Sequence, residues 1–176
     1  MVTEQNKILE ALKLAIEIEN DSKGCYLKAV QTSGNEASRK LLESLALEED
    51  AHSKKLETIY HAIQKKMAWP AVDFQPNKSK TLMDLLNGVC ETTGVNAKAT
   101  STELDVLNTA INKEKESYDF YKRQSQSAID EVERNFYEAI AAEEREHELI
   151  LVHYNEYLTD PVDWFTRVEH HSLDGG

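Results

Sequence analysis

A chain of 176 residues can form one domain with a substantial core, whereas two independent domains would each be small. It contains only six glycines and three prolines, so few turns are available and long helices are expected. The formal net charge of −12 disfavours nucleic acids and anionic lipid surfaces as partners.

The sequence shows no sign of export or of a membrane anchor. Its beginning, MVTEQNKILEALK, has no basic segment followed by an apolar run, and no window approaches 18 uncharged apolar residues. The two cysteines form neither a CxxC motif nor a disulfide framework. Cys25 is expected to be a small core residue, and no role is assigned to Cys90. We therefore expect a cytoplasmic protein.

Two long amphipathic helices are predicted in the first part of the chain. Apolar residues recur every three or four positions from about residue 3 to 31, and again from residue 36 to about 67. The turn sequence TSGN separates the two stretches and offers Asn35 as the N-cap of the second helix. Because the connection is so short, the two helices should form an antiparallel hairpin.

A second hairpin of the same kind is predicted further along the chain. Its first helix begins near Thr100, in the capping sequence TSTE, and its second begins after Asp130 and ends at Asp160-Pro161. The crossover between the hairpins, about residues 68–100, includes TLMDLLNGV, a candidate short helix. It is long enough to run the full length of a helix, as a four-helix bundle with one long crossover requires.

We therefore predict an all-α four-helix bundle over residues 1–158. Residues 159–176 are expected to form a tail that docks on the bundle through Trp164 and Phe165, with a frayed Gly-Gly end.

The two predicted hairpins repeat each other at a fixed spacing of 95 residues. One gap-free shift relates four pairs of polar residues: Glu19 and Glu114, Tyr26 and Tyr121, Glu49 and Glu144, and His52 and His147. Self-similarity at a fixed period indicates a true internal repeat, and here the repeated residues are polar.

The repeated glutamates and histidines lie on the apolar faces of the predicted helices, where an unpaired charge is costly. Residues three apart on a helix share one face, so the glutamate and histidine of each E-x-x-H motif can reach one ion. One more glutamate from each facing helix completes the arrangement of di-iron and di-manganese carboxylate bundles. Two divalent cations would offset the four negative charges. The predicted metal ligands are Glu19, Glu49, His52, Glu114, Glu144 and His147.

Other interpretations remain for single residues. A solvated pair is the plainer interpretation of either E-x-x-H motif taken alone. Tyr26 and Tyr121 could hydrogen-bond ligating carboxylates, relay electrons, or simply pack with the hydroxyl at the edge of the bundle. Glu48 and Glu143 could compete as ligands, but they lie off the apolar stripes. Glu17 and Glu116 are expected at the surface, and surface or packing positions are expected for His61, His153, His170 and His171.

The chain carries four motifs, EIENDSKGCY, EEDAH, EKESYDFY and EEREH, that resemble the ferritin-like domain of the rubrerythrin family over about residues 5–158. The tail DPVDWF…EHHSLDGG also resembles that of short, single-domain members. The resemblance implies a ferritin-like bundle with an oxo- or hydroxo-bridged di-iron centre, whose reduced form is oxidised by hydrogen peroxide or dioxygen. It also implies a cytoplasmic peroxide reductase, in many members a dimer and in some with hairpins exchanged between chains.

The sequence departs from that family in two respects. Rubrerythrins carry a further glutamate three residues after the first ligand of the third long helix, where this chain has Ser117. A more symmetric centre is therefore expected, as in bacterioferritin-type proteins. No CxxC pair is present for a rubredoxin-like domain, so electrons would come from a separate donor, such as a rubredoxin or a flavoprotein.

Three functions fit this pattern. The first is reduction of hydrogen peroxide at a centre of two iron ions, the second is ferroxidase activity in iron handling, and the third is non-enzymatic metal binding. Carboxylate and imidazole ligands suit manganese and zinc as well as iron, so the sequence does not choose the metal. A homodimer is expected, with hairpin exchange as one form of it.

Overall fold

The computed structural model describes residues 4–71 and 78–173, which form six α-helices and a short 3-10 helix and contain no β-strand. The α-helices are α1 (Glu4–Thr32), α2 (Glu36–Gln64), α3 (Lys78–Thr93), α4 (Ser101–Ser127), α5 (Glu131–Thr159) and α6 (Pro161–Leu173). The 3-10 helix is Gly94–Asn96. The predicted all-α class is confirmed, and the four predicted long helices are α1, α2, α4 and α5.

Side-chain caps begin three of the long helices at the residues that the sequence predicts. Asn35 Oδ1 accepts a hydrogen bond from the N–H of Ser38 at 2.7 Å, and Thr100 and Asp130 cap α4 and α5 in the same way. Each cap satisfies an N–H group of the first turn that has no acceptor within the helix. The short turns between helices therefore have fixed ends, which sets the register within each hairpin.

The structure ends α2 earlier than the sequence predicts. The helix ends at Gln64, and Lys66 adopts a left-handed backbone conformation with a φ angle of 58°. The N–H groups of Lys66 and Met67 donate to carbonyl groups in the last turn of α2, at 2.9 and 3.0 Å. This Schellman arrangement closes the helix and turns the chain, so that Trp69 packs against α5.

The helices pack as two hairpins that are joined along one side. α1 packs along α2, α4 packs along α5, and α1 also contacts α4. The crossover contains α3, which extends the candidate helix at residues 81–89 and contacts both α2 and α5. The tail continues as α6, in which Trp164 is buried against Tyr157, with ring centroids 5.4 Å apart. The Gly-Gly end lies outside the described residues.

The interior has two apolar regions on either side of a polar layer. The first core includes Leu42, Leu107 and Leu151, and the second core includes Leu12 and Ile140. The polar layer consists of buried residues from all four long helices: Glu19, Ser22, Glu49, His52, Ser53, Glu114, Ser117, Glu144 and His147. None of the helices described combines the length and the hydropathy needed to cross a lipid bilayer.

Candidate metal centre

The six residues predicted as ligands are buried together in the polar layer. Their ligand atoms form two groups of four, and within each group all atoms lie within 4.8 Å of one another. The first group is Glu19, Glu49, His52 and Glu144, and the second is Glu49, Glu114, Glu144 and His147. Because Glu49 and Glu144 belong to both groups, the arrangement suits two ions bridged by these two carboxylates.

The four long helices each contribute to this centre. The E-x-x-H motifs of α2 and α5 face each other, and their imidazole rings stack with centroids 5.7 Å apart. His52 Nδ1 lies 3.1 Å from oxygens of Glu19 and Glu144, and His147 Nδ1 lies 2.8 Å from Glu49 Oε1. The Nδ1 atoms are therefore the nitrogens directed at the carboxylates, and they are the atoms available to ions in the centre.

The outer nitrogen of each histidine is bound by a glutamate from the opposite helix. His52 Nε2 lies 2.5 Å from Glu143 Oε2, and His147 Nε2 lies 3.0 Å from Glu48 Oε2. A carboxylate at this position favours a proton on Nε2 and leaves Nδ1 free to bind a cation. Neither glutamate belongs to the two ligand groups. Their contact with the histidines is not predicted, although the 95-residue spacing that relates Glu48 to Glu143 was a signal for it.

The two repeated tyrosines each hydrogen-bond a ligand glutamate on the other helix of the α1–α4 pair. The hydroxyl of Tyr26 donates to Glu114 Oε1 at 2.5 Å, and that of Tyr121 donates to Glu19 Oε1. Burial raises the pKa of both phenols, and the neighbouring carboxylates raise it further. Both hydroxyls therefore stay protonated and act as donors that hold one oxygen of each terminal carboxylate.

The charges of the centre are unfavourable when the protein residues are considered alone. Burial raises the pKa of Glu49 and Glu144, and nearby carboxylates add to this effect. Burial lowers the pKa of His52 and His147, but the surrounding glutamates outweigh it and bring both values well above the usual range. Ionised carboxylates in this layer thus require positive charge close by, supplied by protons or by metal ions.

The residues fit a pair of divalent cations. Within the described structure, one buried oxygen of each of three ligand glutamates lacks a hydrogen-bond partner: Glu49 Oε2, Glu144 Oε2 and Glu114 Oε2. A buried polar atom without a partner is costly, and coordination to a cation would satisfy it. Two ions would bring four positive charges to four carboxylates. Oxygen and imidazole donors suit iron, manganese and zinc.

The remaining candidate residues lie outside the centre. Ser117 is fully buried, but its hydroxyl donates to the carbonyl group of Lys113 at 2.9 Å and supplies no carboxylate. Glu17, Glu116, His61 and His153 are exposed, as predicted, Cys25 is half-buried and Cys90 is buried. The side chains of His170 and His171 lie outside the described residues.

Comparison with known proteins identifies a family to which the sequence is similar. The family model described as Rubrerythrin matches residues 10–154, a range that includes the six ligand residues and both tyrosines. No curated protein and no solved structure matches the chain.

Proposed function

The chain belongs to the rubrerythrin family, and from this membership and the geometry of its polar layer we propose that it is a non-haem di-iron redox protein. The proposed reaction is the reduction of hydrogen peroxide to water. The observation that carries the proposal is the pair of four-residue ligand groups that share Glu49 and Glu144.

A pair of iron ions, when bound, supplies electrons and an open coordination position for the oxidant. The residues of the polar layer and the two cores would hold the ions, orient the carboxylates and exclude water. Glu19 and His52 would hold one ion and Glu114 and His147 the other, and Glu49 and Glu144 would be available to both. The tyrosines hold the terminal carboxylates in one orientation, and the two apolar cores keep bulk water away from the layer.

The electrons for this reaction are proposed to come from a separate protein. The sequence has two cysteines, Cys25 and Cys90, which are too few for the four-cysteine iron site of a rubredoxin. A rubredoxin or a flavoprotein fits the role of donor. We further propose a cytoplasmic homodimer, with exchange of hairpins between chains as one form of it.

The symmetry of the centre favours a second candidate function, the oxidation of Fe(II) as a substrate during iron handling. Ser22 and Ser117 occupy equivalent positions in the repeat, and both are buried beside the ligands. Neither half of the centre therefore carries an extra carboxylate on α1 or α4. Native mass separates the two candidates, because a large hollow assembly supports iron storage and a dimer opposes it.

A stopped-flow comparison of oxidants tests the proposed reaction. The iron-loaded, reduced protein is mixed anaerobically with hydrogen peroxide and, in a parallel experiment, with dioxygen. We expect peroxide to oxidise the iron much faster. Comparable rates with the two oxidants would contradict peroxide reduction, and protein that acquires only zinc when iron, manganese and zinc are all supplied would favour non-enzymatic metal binding.

A further inference from the structure

A continuous set of aromatic rings leads away from one side of the metal centre. The ring of Tyr121 stacks on that of Tyr137, with centroids 6.1 Å apart and planes inclined by 25°. Tyr137 in turn contacts the indole of Trp69, at 5.6 Å between centroids. We call these three residues the aromatic path. They come from α4, α5 and the turn after α2, so the path exists only in the folded bundle.

The two ends of the aromatic path differ in their surroundings. At the inner end, the hydroxyl of Tyr121 donates to Glu19, a ligand residue of the centre. At the outer end, Trp69 is 9 % exposed, whereas Tyr121 and Tyr137 are fully buried. The path therefore connects a candidate metal ligand with a largely buried tryptophan that keeps a small exposed area.

The rings of the path are those that transfer electrons most readily. Tyrosine and tryptophan lose an electron more easily than phenylalanine, because the oxygen or nitrogen lone pair stabilises the oxidised ring. Phe120 contacts Tyr121, and Phe136 contacts both Tyr137 and Trp69. The oxidisable rings are thus flanked by rings that resist oxidation.

The internal repeat provides a natural comparison, because its other half lacks the middle ring. The shift of 95 residues relates Tyr26 to Tyr121 and Trp69 to Trp164, but the residue equivalent to Tyr137 is Leu42. Trp164 is 8 % exposed and is therefore as well shielded as Trp69. Among the described residues, no ring contact joins Tyr26 to another aromatic side chain. The two tryptophans occupy equivalent positions, and only one of them is connected to the centre.

We infer that Tyr121, Tyr137 and Trp69 carry single electrons between the edge of the bundle and the metal centre. This inference rests on the proposed redox function and adds to it a protective role. Reduction of one hydrogen peroxide molecule to two water molecules takes two electrons and two protons. When one electron is lacking at the centre, the aromatic path provides it.

This step needs no oxidant other than hydrogen peroxide. The centre supplies one of the two electrons, and the other leaves the indole of Trp69 and passes over Tyr137 and Tyr121 to the centre, while solvent supplies the two protons. Trp69 is left oxidised by one electron at the edge of the bundle. A thiol or another one-electron donor in solution then returns it to its original state. The ligand side chains are spared the oxidation that they would otherwise undergo.

The test compares the oxidation of the two tryptophans within one molecule. Iron-loaded protein is partly reduced so that peroxide meets centres that lack an electron, and it is then exposed to successive additions of peroxide without a thiol. Peptide mass spectrometry measures oxygen addition at each indole, and electron paramagnetic resonance of rapidly frozen samples measures the radical. We expect several-fold more oxidation at Trp69 than at Trp164, together with a tryptophan radical signal.

The Tyr137→Phe variant is the matched control. It removes a hydroxyl that has no hydrogen-bond partner in the described structure and keeps the ring volume, so the fold should persist. We expect oxidation of Trp69 to fall to the level of Trp164. Equal oxidation of the two tryptophans in the unaltered protein, or unchanged oxidation of Trp69 in the variant, would overturn the inference.

Failure of the path and failure of the proposed function give different results. If peroxide oxidises the iron rapidly but both tryptophans gain oxygen equally, the path is contradicted and the proposed function is supported. If the iron reacts no faster with peroxide than with dioxygen, peroxide reduction is contradicted. Oxidation of Trp69 and Trp164 is then compared in the same way during turnover with dioxygen, and equal oxidation of the two contradicts the path as well.

Discussion

Side chains of the centre make paired contacts that cross between helices. Tyr26 on α1 holds Glu114 on α4, while Tyr121 on α4 holds Glu19 on α1. Glu48 and Glu143 bind the outer nitrogens of the histidines in the same crossed manner between α2 and α5. Four of the six candidate ligands are thus oriented by a helix other than their own, so the geometry of the centre depends on the packing of all four long helices.

The crossed glutamates give a prediction about metal affinity. Replacing Glu48 or Glu143 by Gln weakens the acceptor for the Nε2–H group and loosens the orientation of the paired histidine. We expect each substitution to weaken binding of Mn(II) or Fe(II) by about 10- to 100-fold, as is typical of groups that orient metal ligands. Anaerobic calorimetric titration measures this. Glu146→Gln, an exposed change beside His147, is the control, and affinities within about twofold of the unaltered protein would contradict the assigned contact.

The raised pKa values of the centre predict how the metal-free protein responds to pH. Glu49 and Glu144 have a pKa above their usual value in the folded state, so their ionisation destabilises the fold as pH rises from about 4.5. The raised pKa of His52 and His147 acts in the same direction, because the stability that it contributes is present below about pH 6.5 and lost above it.

Thermal unfolding measures this dependence. We expect the Tm of the metal-free protein to fall between about pH 5 and pH 9, by about 2–4 °C for each kcal/mol lost. The metal-loaded protein should instead lose stability as pH falls, because protons compete with the ions for the ligands. A double variant with Glu49→Gln and Glu144→Gln should show a flatter profile without metal. A Tm that rises with pH in the unaltered metal-free protein would contradict the account.

At the scale of the elements, the sequence predicts what depends on local signals. The starts of α2, α4 and α5 follow from capping side chains, and the grouping of the six candidate ligands follows from the repeat on the apolar faces. The end of α2 is predicted less well, because Lys66 adopts the left-handed conformation at a position where glycine is the usual signal. The contact of Trp69 with Tyr137 depends on that turn and on the packing of α5, so no local pattern indicates it.

The turn after α2 provides a prediction about stability. A lysine in the left-handed region costs about 1–2 kcal/mol relative to glycine, so Lys66→Gly should stabilise the protein by a part of that amount. We expect a rise in Tm of about 2–4 °C, measured by calorimetry on metal-free protein. The adjacent Lys65, with a φ of −82°, is the control, because Lys65→Gly only adds freedom to the unfolded chain and should lower the Tm. A lower Tm for Lys66→Gly would contradict the proposed role of the turn.

At the scale of the whole molecule, the bundle places an acidic layer between two apolar cores, where protons or metal ions would balance its negative charge. The two hairpins supply equivalent ligands, so the centre lies where the halves of the repeat meet. The halves differ beyond the centre, since Tyr137 of one corresponds to Leu42 of the other. The repeat therefore accounts for the candidate metal site, and the departures from it distinguish the two ends of the molecule.

The central claim is that six side chains from four helices hold two metal ions with Glu49 and Glu144 in common. Anomalous diffraction from crystals of the iron-loaded protein, collected on both sides of the iron absorption edge, tests it most directly. The account predicts two iron positions per chain, about 3.5–4 Å apart as in other two-metal sites, with both shared carboxylates touching each ion. A single ion, or iron bound only at the surface while the polar layer stays free of it, would contradict the account.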